Sequence, residues 1–188
     1  METKKLIRKN ILALRDGMDK EERNEKSKKI ANRLMQLETY KKAQILVIYV
    51  NYKSEVSTQS LIKTALLEGK KVYCPKVCEG EMEFYRIDSL EELSEGYMGI
   101  REPKGETSKK LTVEDMKEEV CLMIMPGSVF DRERNRIGYG KGYYDKYIGK
   151  YPYFDTAALC FVCQLIDEVP AKEYDIRPDM VITECEIL

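Results

Sequence analysis

The chain has 188 residues, of which 43% are hydrophobic and 35% are charged. This length and composition predict one globular domain over residues 1–188, with a core that needs no disulfide or metal to fold. The 32 basic and 33 acidic residues almost cancel and histidine is absent, which argues against a global attraction to nucleic acid and excludes a histidine-based catalytic triad or general base.

Two helices are predicted within the first 40 residues. In the first, Leu6, Leu14 and Met18 recur at helical spacing with Ile7 and Ile11 beside them, which indicates an apolar face. The polar start, Met1-Glu2-Thr3-Lys4-Lys5, lacks the apolar segment of a signal peptide. No apolar run approaches the roughly 20 residues of a membrane span. The sequence therefore predicts a cytoplasmic protein without a membrane partner.

The second helix has a predicted start and a predicted buried face. Asp19 is a suitable N-cap, and Glu22, three residues later, would complete a capping box. Ile30, Leu34 and Leu37 then recur at the spacing of residues that face a core.

Apolar runs further along the chain predict a sheet. The predicted strands are Ile45–Val50, Lys71–Cys74, Met82–Arg86, Val120–Met125, Thr156–Val162 and Met180–Thr183. Ser57 or Thr58 would cap a helix that Gly69 ends, and Pro75 would stop the second strand. The remaining predictions are a brief helical piece at Leu90 and Leu93, a loop over 99–110 and a helix over Tyr144–Tyr151. Strands that alternate with helices predict an α/β domain with a mainly parallel sheet.

The six cysteines are predicted to be free thiols, since the cytosol keeps them reduced. Cys160 and Cys163 have the spacing of a redox pair or of half a zinc site. They lie in an apolar run that indicates a buried strand, where their side chains would face opposite sides. This favours a structural role for both.

The strongest chemical signal is the segment Arg136-Ile137-Gly138-Tyr139-Gly140-Lys141-Gly142-Tyr143-Tyr144-Asp145. It follows a predicted strand and leads into a predicted helix. Glycines let backbone N–H groups approach a phosphate, and a helix N-terminus adds partial positive charge. Arg136 and Lys141 could add full charges, and Asp145 could hold a magnesium ion. The spacing is not that of a P-loop, and a flexible turn with a solvated lysine remains the alternative on pattern alone.

These residues give the chain a family likeness. It resembles the 5-formyltetrahydrofolate cyclo-ligases, also called 5,10-methenyltetrahydrofolate synthetases, over essentially its whole length. The matching motifs are Met125-Pro126-Gly127 through Phe130-Asp131, then Asn135 to Asp145, together with Lys4-x-x-x-Arg8 and Glu55-Val56-x-Thr58. The resemblance implies a three-layer α/β/α Rossmann-like domain of the NagB/RpiA/CoA-transferase-like type. It also implies a monomeric enzyme that uses ATP and Mg²⁺ to cyclise 5-formyltetrahydrofolate.

The resemblance also assigns roles to individual residues. Phosphate binding is implied for Lys4, Arg8, Arg136 and Lys141, with Arg8, Arg136 and Lys141 as the catalytic set. Gly138, Gly140 and Gly142 would give backbone access to ATP, with Tyr139, Tyr143 and Tyr144 beside them. Val50 and Glu55 would bind the folate, again with Tyr143 and Tyr144. Asp145 and Asp179 would ligate magnesium. For the surface lysines and arginines an ordinary solvated charge is the alternative, and for Asp179 a turn aspartate.

Two further questions stay open at this stage. Arg134 stands where many members of the family have glycine, so a turn with positive φ would strain it; either the turn differs or Arg134 adds a phosphate contact. The second question is whether the protein is an enzyme. The alternative is a non-catalytic relative that binds folate or nucleotide, and an RNA-binding protein is disfavoured by the balanced charge.

Overall fold

The computed structural model of the protein describes residues 2–171 and 175–188. Its helices are α1 (Glu2–Gly17), α2 (Lys20–Met35), α3 (Glu38–Lys42), α4 (Gln59–Leu67), α5 (Val113–Glu118) and α6 (Tyr143–Lys150). Its strands are β1 (Ile45–Ile48), β2 (Lys71–Cys78), β3 (Glu81–Ile87), β4 (Ser94–Glu95), β5 (Arg101–Glu102), β6 (Cys121–Met125), β7 (Val129–Phe130), β8 (Arg136–Ile137), β9 (Asp155–Leu159) and β10 (Met180–Ile182).

The central sheet has the strand order β10-β9-β6-β1-β2-β3. β1 pairs in parallel with β2 and with β6, and β9 lies parallel between β6 and β10. β3 is an antiparallel edge strand on β2. The mainly parallel sheet confirms the predicted fold class. It brings the carboxyl ends of β1, β6 and β9 to one edge, which is where α/β proteins bind ligands.

Helices cover both faces of this sheet and form the three predicted layers. On one face, α2 and α4 pack on the strands and bury Ile30, Leu34, Leu61 and Ile62 together with Leu46 and Ile48 of β1. On the other face, α5 and α6 bury Met116 and Tyr147 against Ile45 and Val47. Residues of β1 therefore alternate between two cores, as the period of a strand requires.

The first helix buries a different face from the one predicted. Leu6 and Leu14 are 60% and 59% exposed, so their prediction as core residues is wrong. Ile7 and Ile11 pack instead on Val129 and neighbouring residues of a small cluster beside the β7–β8 hairpin. Because α1 lies against this hairpin rather than on the sheet, a narrow apolar stripe is enough to hold it.

The start of α2 follows the prediction in part. The carboxylate of Asp19 caps the helix by accepting a hydrogen bond from the backbone N of Glu22 at 2.8 Å. The side chain of Glu22 pairs with Lys26 at 2.7 Å, one turn further on, so it does not serve as the second half of a capping box. Leu37 lies beyond the end of α2, at the N-cap of α3.

The second strand continues through Pro75, where the sequence predicted its end. Pro75 lies opposite Phe84 of β3, and the carbonyl of Phe84 accepts a hydrogen bond from the backbone N of Leu111. β1 pairs with β2 over Lys71–Tyr73, before the proline. The missing N–H of Pro75 therefore falls at a position where neither neighbouring strand needs a donor.

Several short elements were not predicted. They are α3, α5, the β4–β5 hairpin and the β7–β8 hairpin. β9 ends at Leu159, so Cys160 follows the strand and Cys163 lies in a short 3-10 helix, contrary to the predicted strand through both. All six cysteines are free, as predicted. Within the described ranges, no helix combines the length and apolar character needed to cross a membrane.

Candidate functional site

Two loops and the start of a helix come together at the carboxyl edge of the sheet, and α1 lies across them. The loop 51–58 follows β1, and the glycine segment 138–142 leads into α6. The buried Arg15 of α1 donates from Nε to Ser54 Oγ at 3.0 Å and from a terminal guanidinium N to Tyr139 Oη at 2.8 Å. One helix thus contacts both loops.

Arg136 is the best-fixed cation of the site. It is 8% exposed, and its two terminal nitrogens donate to the carbonyl of Pro126 at 3.1 Å and to Asp145 Oδ1 at 2.8 Å. A Cβ on Gly127 would lie 2.3 Å from Phe130 Cζ and 3.2 Å from Arg136 Cγ. Glycine is therefore required after Pro126, because any side chain would displace the arginine or the fully buried phenylalanine.

Lys4 and Arg8 lie one turn apart on α1, and Arg8 lies near the glycine segment. The Arg8 guanidinium is 3.6 Å from the position that a Cβ of Gly140 would occupy. Its Nε is buried without a hydrogen-bond partner among the described residues. Lys4 Nζ pairs with Asp175 at 2.6 Å. Of the two predicted cations of α1, Arg8 therefore borders the glycine segment, and Lys4 is engaged by Asp175.

The glycine segment adopts conformations that other residues avoid. Gly140 and Gly142 have φ values of +101° and +66°, in the left-handed region that glycine enters without strain. Gly142 is the N-cap of α6 and makes no side-chain cap, so the first N–H groups of α6 point outward without a capping side chain. Lys141 lies exposed between the two glycines. This local geometry is suited to an anion.

Loop 51–58 is closed by a reciprocal pair of hydrogen bonds. The backbone N of Asn51 donates to Thr58 Oγ1 at 3.2 Å, and the backbone N of Thr58 donates to Asn51 Oδ1 at 3.1 Å. The Tyr49 hydroxyl donates to the carbonyl of Val56 at 2.9 Å. Thr58 stands at the N-cap of α4, but its side chain makes no cap bond. These bonds fix the loop that presents Glu55.

Glu55 is a partly buried carboxylate that is held in place by its neighbours. It accepts a hydrogen bond from the backbone N of Tyr52 at 2.8 Å. Burial raises its pKa above the ordinary value, against the opposing effects of a hydrogen bond from Tyr139, the Tyr52 N–H and the charge of Arg15. A carboxylate in this setting is a strong acceptor for ligand N–H groups.

The aromatic residues around Glu55 differ in position. Tyr144 packs edge-on against Phe84, with ring centroids 6.1 Å apart, and burial raises the pKa of its hydroxyl well above the ordinary value. Tyr143 lines a cleft between α6 and β3. Val50 is buried in the core below the loop. The two adjacent tyrosines thus point in different directions, as residues in successive helical positions must.

The two predicted magnesium ligands are used differently. Asp145 Oδ1 accepts from Arg136 and, at 3.3 Å, from the backbone N of Ile176. Asp179 Oδ2 accepts from the backbone N and the hydroxyl of Thr156 at 2.8 and 2.7 Å. These bonds join the starts of β9 and β10, so Asp179 lies toward the sheet edge opposite the loops. Within the described ranges, no three histidine, cysteine or acidic residues cluster as a metal site would require.

Arg15 and Ser54 are site residues that the sequence reasoning missed. A signal for Arg15 was present, since Lys4, Arg8 and Arg15 recur at i, i+4 and i+11 and so share one face of a helix. Ser54 carried no signal of its own. Its hydroxyl donates to Asp16 of α1 and accepts from Arg15, and neither contact is visible in the local sequence.

Known proteins resemble the chain over most of its length. A sequence profile described as the 5-formyltetrahydrofolate cyclo-ligase family matches residues 1–184. A protein of Schizosaccharomyces pombe named "Probable 5-formyltetrahydrofolate cyclo-ligase" is 33% identical, over 85% of this chain and 84% of its own length. The 5-formyltetrahydrofolate cyclo-ligase of Escherichia coli is 26% identical, over 92% of this chain and 96% of its own.

Solved structures agree with this result. The 5,10-methenyltetrahydrofolate synthetase of Aquifex aeolicus superposes with a TM-score of 0.84 at 31% identity, over 98% of this chain and 91% of that one. The synthetase of Mycoplasma pneumoniae shares the fold, with a TM-score of 0.75 at 20% identity over 96% and 98% of the two chains. The chain therefore belongs to the 5-formyltetrahydrofolate cyclo-ligase family.

Proposed function

We propose that the protein couples ATP hydrolysis to the cyclisation of 5-formyltetrahydrofolate, giving 5,10-methenyltetrahydrofolate, ADP and phosphate. The observation that carries this proposal is the meeting of two chemically different loops at one sheet edge. The glycine segment offers cations and backbone donors, and loop 51–58 offers the partly buried carboxylate of Glu55. Membership in the cyclo-ligase family supports the same reaction class.

The chemistry explains why two such loops are needed. The formyl group on N5 is an amide, so its carbon is a weak electrophile and its oxygen a poor leaving group. Transfer of the γ-phosphoryl group of ATP to that oxygen corrects both defects. N10 then attacks the activated carbon and loses its proton, the new C–N bond forms, and the C–O bond breaks as phosphate leaves. Such a reaction depends on positioning and charge stabilisation.

The phosphates belong at the glycine segment. Arg136 is held rigidly by Pro126 and Asp145, so its charge is already in place when ATP binds, which favours transition-state stabilisation. Lys141 is exposed, and the Nε of Arg8 is buried without a hydrogen-bond partner among the described residues. In this proposal Lys4, Gly138, Tyr139, Gly140 and Gly142 complete the nucleotide site, together with the start of α6.

The folate belongs at loop 51–58. The carboxylate of Glu55 would accept hydrogen bonds from the amino and ring N–H groups of the pterin. In this proposal Tyr143 and Tyr144, at the start of α6, would also contact the folate. Tyr143 lines the cleft between α6 and β3, Tyr144 packs on Phe84, and Val50 is buried in the core after β1. The formyl oxygen would then lie between the two loops, facing the γ-phosphate.

Magnesium fits the site as a companion of the nucleotide. Mg²⁺ is usually held by one or two carboxylates, water and substrate phosphates, and Asp145 is a carboxylate beside the proposed phosphate site. The ion would neutralise charge on the phosphates. Arg136 already pairs with Asp145, so the structure offers this ion one shared carboxylate rather than a cage. Asp179 is engaged with Thr156 at the other end of the strands, and we do not assign it to the metal.

The proposal is tested by ultraviolet absorbance of the methenyl product. Purified protein, 5-formyltetrahydrofolate and Mg²⁺ are expected to produce this chromophore when ATP is added and not when ATP is omitted. Lys141→Ala is expected to lower ATP-dependent turnover about 100-fold or more, as removal of a single charge-stabilising group typically does. Lys9→Ala, which removes an exposed lysine of α1, serves as the matched control and should leave turnover unchanged.

Two results would overturn the proposal. Folded wild-type protein that binds folate and ATP in calorimetry but forms no product would be a non-catalytic binding protein. Full turnover by folded Lys141→Ala would refute the assignment of the ATP phosphates to the glycine segment.

A further inference from the structure

Arg15, Tyr139 and Glu55 form a chain of polar contacts from α1 through the glycine segment to the loop after β1. Arg15 is 5% exposed. Its guanidinium donates to the Tyr139 hydroxyl oxygen at 2.8 Å, which leaves the hydroxyl hydrogen free to point elsewhere. Glu55 lies close enough for the Tyr139 hydroxyl to lower the pKa of its carboxylate. Although Tyr139 is 44% exposed overall, its hydroxyl is turned inward toward two charged groups.

Arg15 is itself held in place from the other side. Its Nε donates to Ser54 Oγ at 3.0 Å, and the Ser54 hydroxyl donates to Asp16. The guanidinium therefore spans the residue that precedes Glu55 and the tyrosine that bonds it. An arginine is suited to this role because its donors are fixed in one plane and its charge is permanent.

We propose that Arg15 and Tyr139 act as a positioning pair, which fixes the Glu55 carboxylate for folate binding and ties it to the glycine segment. This inference rests on the proposed assignment of Glu55 to the folate. Neither residue need touch the reacting atoms. Tyr139 belongs to the proposed nucleotide loop, and Ser54 and Glu55 belong to the folate loop, so the two hydrogen bonds of Arg15 to Tyr139 and Ser54 join the two halves of the site.

The charged state of Glu55 is part of the argument. The groups that face it are Arg15 of α1, Tyr49 after β1, Tyr139 of the glycine segment and Tyr144 of α6. The pKa values of the three tyrosine hydroxyls are all raised by burial, so they stay neutral over the range in which folate binding is measured. Of these groups, Glu55 alone titrates on the acid side.

The sign of the pH effect follows from these contacts. Burial raises the pKa of Glu55, while the Tyr139 hydrogen bond and the Arg15 charge lower it. Loss of either contact lets burial dominate further. The pH below which folate binding weakens is therefore expected to move upward in Tyr139→Phe and in Arg15→Met, because the carboxylate becomes protonated earlier as pH falls.

The experiment measures the steady-state KM for 5-formyltetrahydrofolate and for ATP across pH 5 to 8, with folate affinity by calorimetry in parallel. We expect Tyr139→Phe and Arg15→Met each to raise the folate KM about tenfold or more, as loss of a hydrogen bond to a charged group does. Arg15 lies outside the proposed nucleotide site, so the ATP KM should change much less than the folate KM in Arg15→Met. Since both residues act through one carboxylate, the double variant should resemble the single variants rather than their product.

The controls separate positioning from general damage. Tyr153→Phe removes a tyrosine hydroxyl at the surface beyond α6 and should change no parameter. Arg15→Lys keeps the charge but not the planar pair of donors, so it should recover part of the pH profile without the full affinity.

The outcomes are decisive in each direction. Unchanged folate KM and an unmoved acid limb in folded Tyr139→Phe would overturn the positioning role. So would an equal loss of folate and ATP binding in Arg15→Met with a fall in melting temperature, since that describes a purely structural residue. If wild-type protein gives no turnover, the proposed function fails, but the calorimetric folate titrations still test the positioning pair.

Discussion

Replacing Arg134 with glycine is expected to stabilise the protein. Arg134 is exposed and has a φ of +63°. The turn therefore has the positive φ that glycine favours, although this chain has arginine at the position. The backbone N of Arg134 donates to the carbonyl of Asp131 at 3.0 Å, a bond that glycine would keep. The strain of the side chain is therefore the main difference between the two residues.

The magnitude follows from two opposing effects. In the left-handed region the Cβ of an L-residue crowds its own backbone, which costs about 1–2 kcal/mol. Glycine avoids this crowding but loses about 0.5–1 kcal/mol more conformational free energy on folding. Arg134→Gly should therefore raise the free energy of unfolding by up to about 1.5 kcal/mol. For a chain of 188 residues this corresponds to a rise in Tm of up to about 6 °C.

Urea unfolding and calorimetry on matched variants measure this effect. Glu133→Gly, at the preceding exposed position whose φ is not positive, should destabilise the protein because it adds flexibility without relieving strain. Equal destabilisation by both substitutions would refute the strain argument. The kinetics of the Arg134→Gly variant also test whether Arg134 contacts a phosphate. A raised KM for ATP would assign Arg134 a phosphate contact, and an unchanged KM would place Arg134 outside the site.

Three further predictions concern other parts of the molecule. Asp179→Ala should lower the free energy of unfolding by about 2 kcal/mol, because the bonds to Thr156 are lost, and should leave the magnesium dependence of turnover unchanged; the opposite pattern would return Asp179 to the metal site. Glu55→Gln should abolish folate turnover yet raise the Tm at pH 7 to 8. The raised pKa of Glu55 means that ionisation opposes folding above its unfolded value, so the gain should vanish toward pH 4, and a gain that grows on acidification would contradict it. A thiol reagent at neutral pH should label the exposed Cys185 first and Cys74 only on unfolding, since burial raises the pKa of the Cys74 thiol; rapid labelling of Cys74, read by mass spectrometry, would argue against its burial.

Local patterns predicted the parts of the fold that depend on nearby residues. The apolar run from Ile45 indicated a strand covered on both faces, and β1 is buried on both. Asp19 correctly predicted the start of α2, because a helix cap depends on a bond to a residue only three positions away. Pro75 misled the prediction, since its effect depends on whether a neighbouring strand needs its N–H, and the pairing that decides this involves Phe84.

The site shows the same division between near and distant contacts. The glycine segment could be recognised because its function resides in consecutive residues. The helix face that Arg15 shares with Lys4 and Arg8 was a signal for the residue, but it does not show its role, because the partners of Arg15 are remote. Ser54 lies 39 positions away and Tyr139 lies 124 positions away. A buried arginine between two site loops is specified by tertiary packing alone. The link that Arg15 makes between the two loops is therefore visible only in the folded chain.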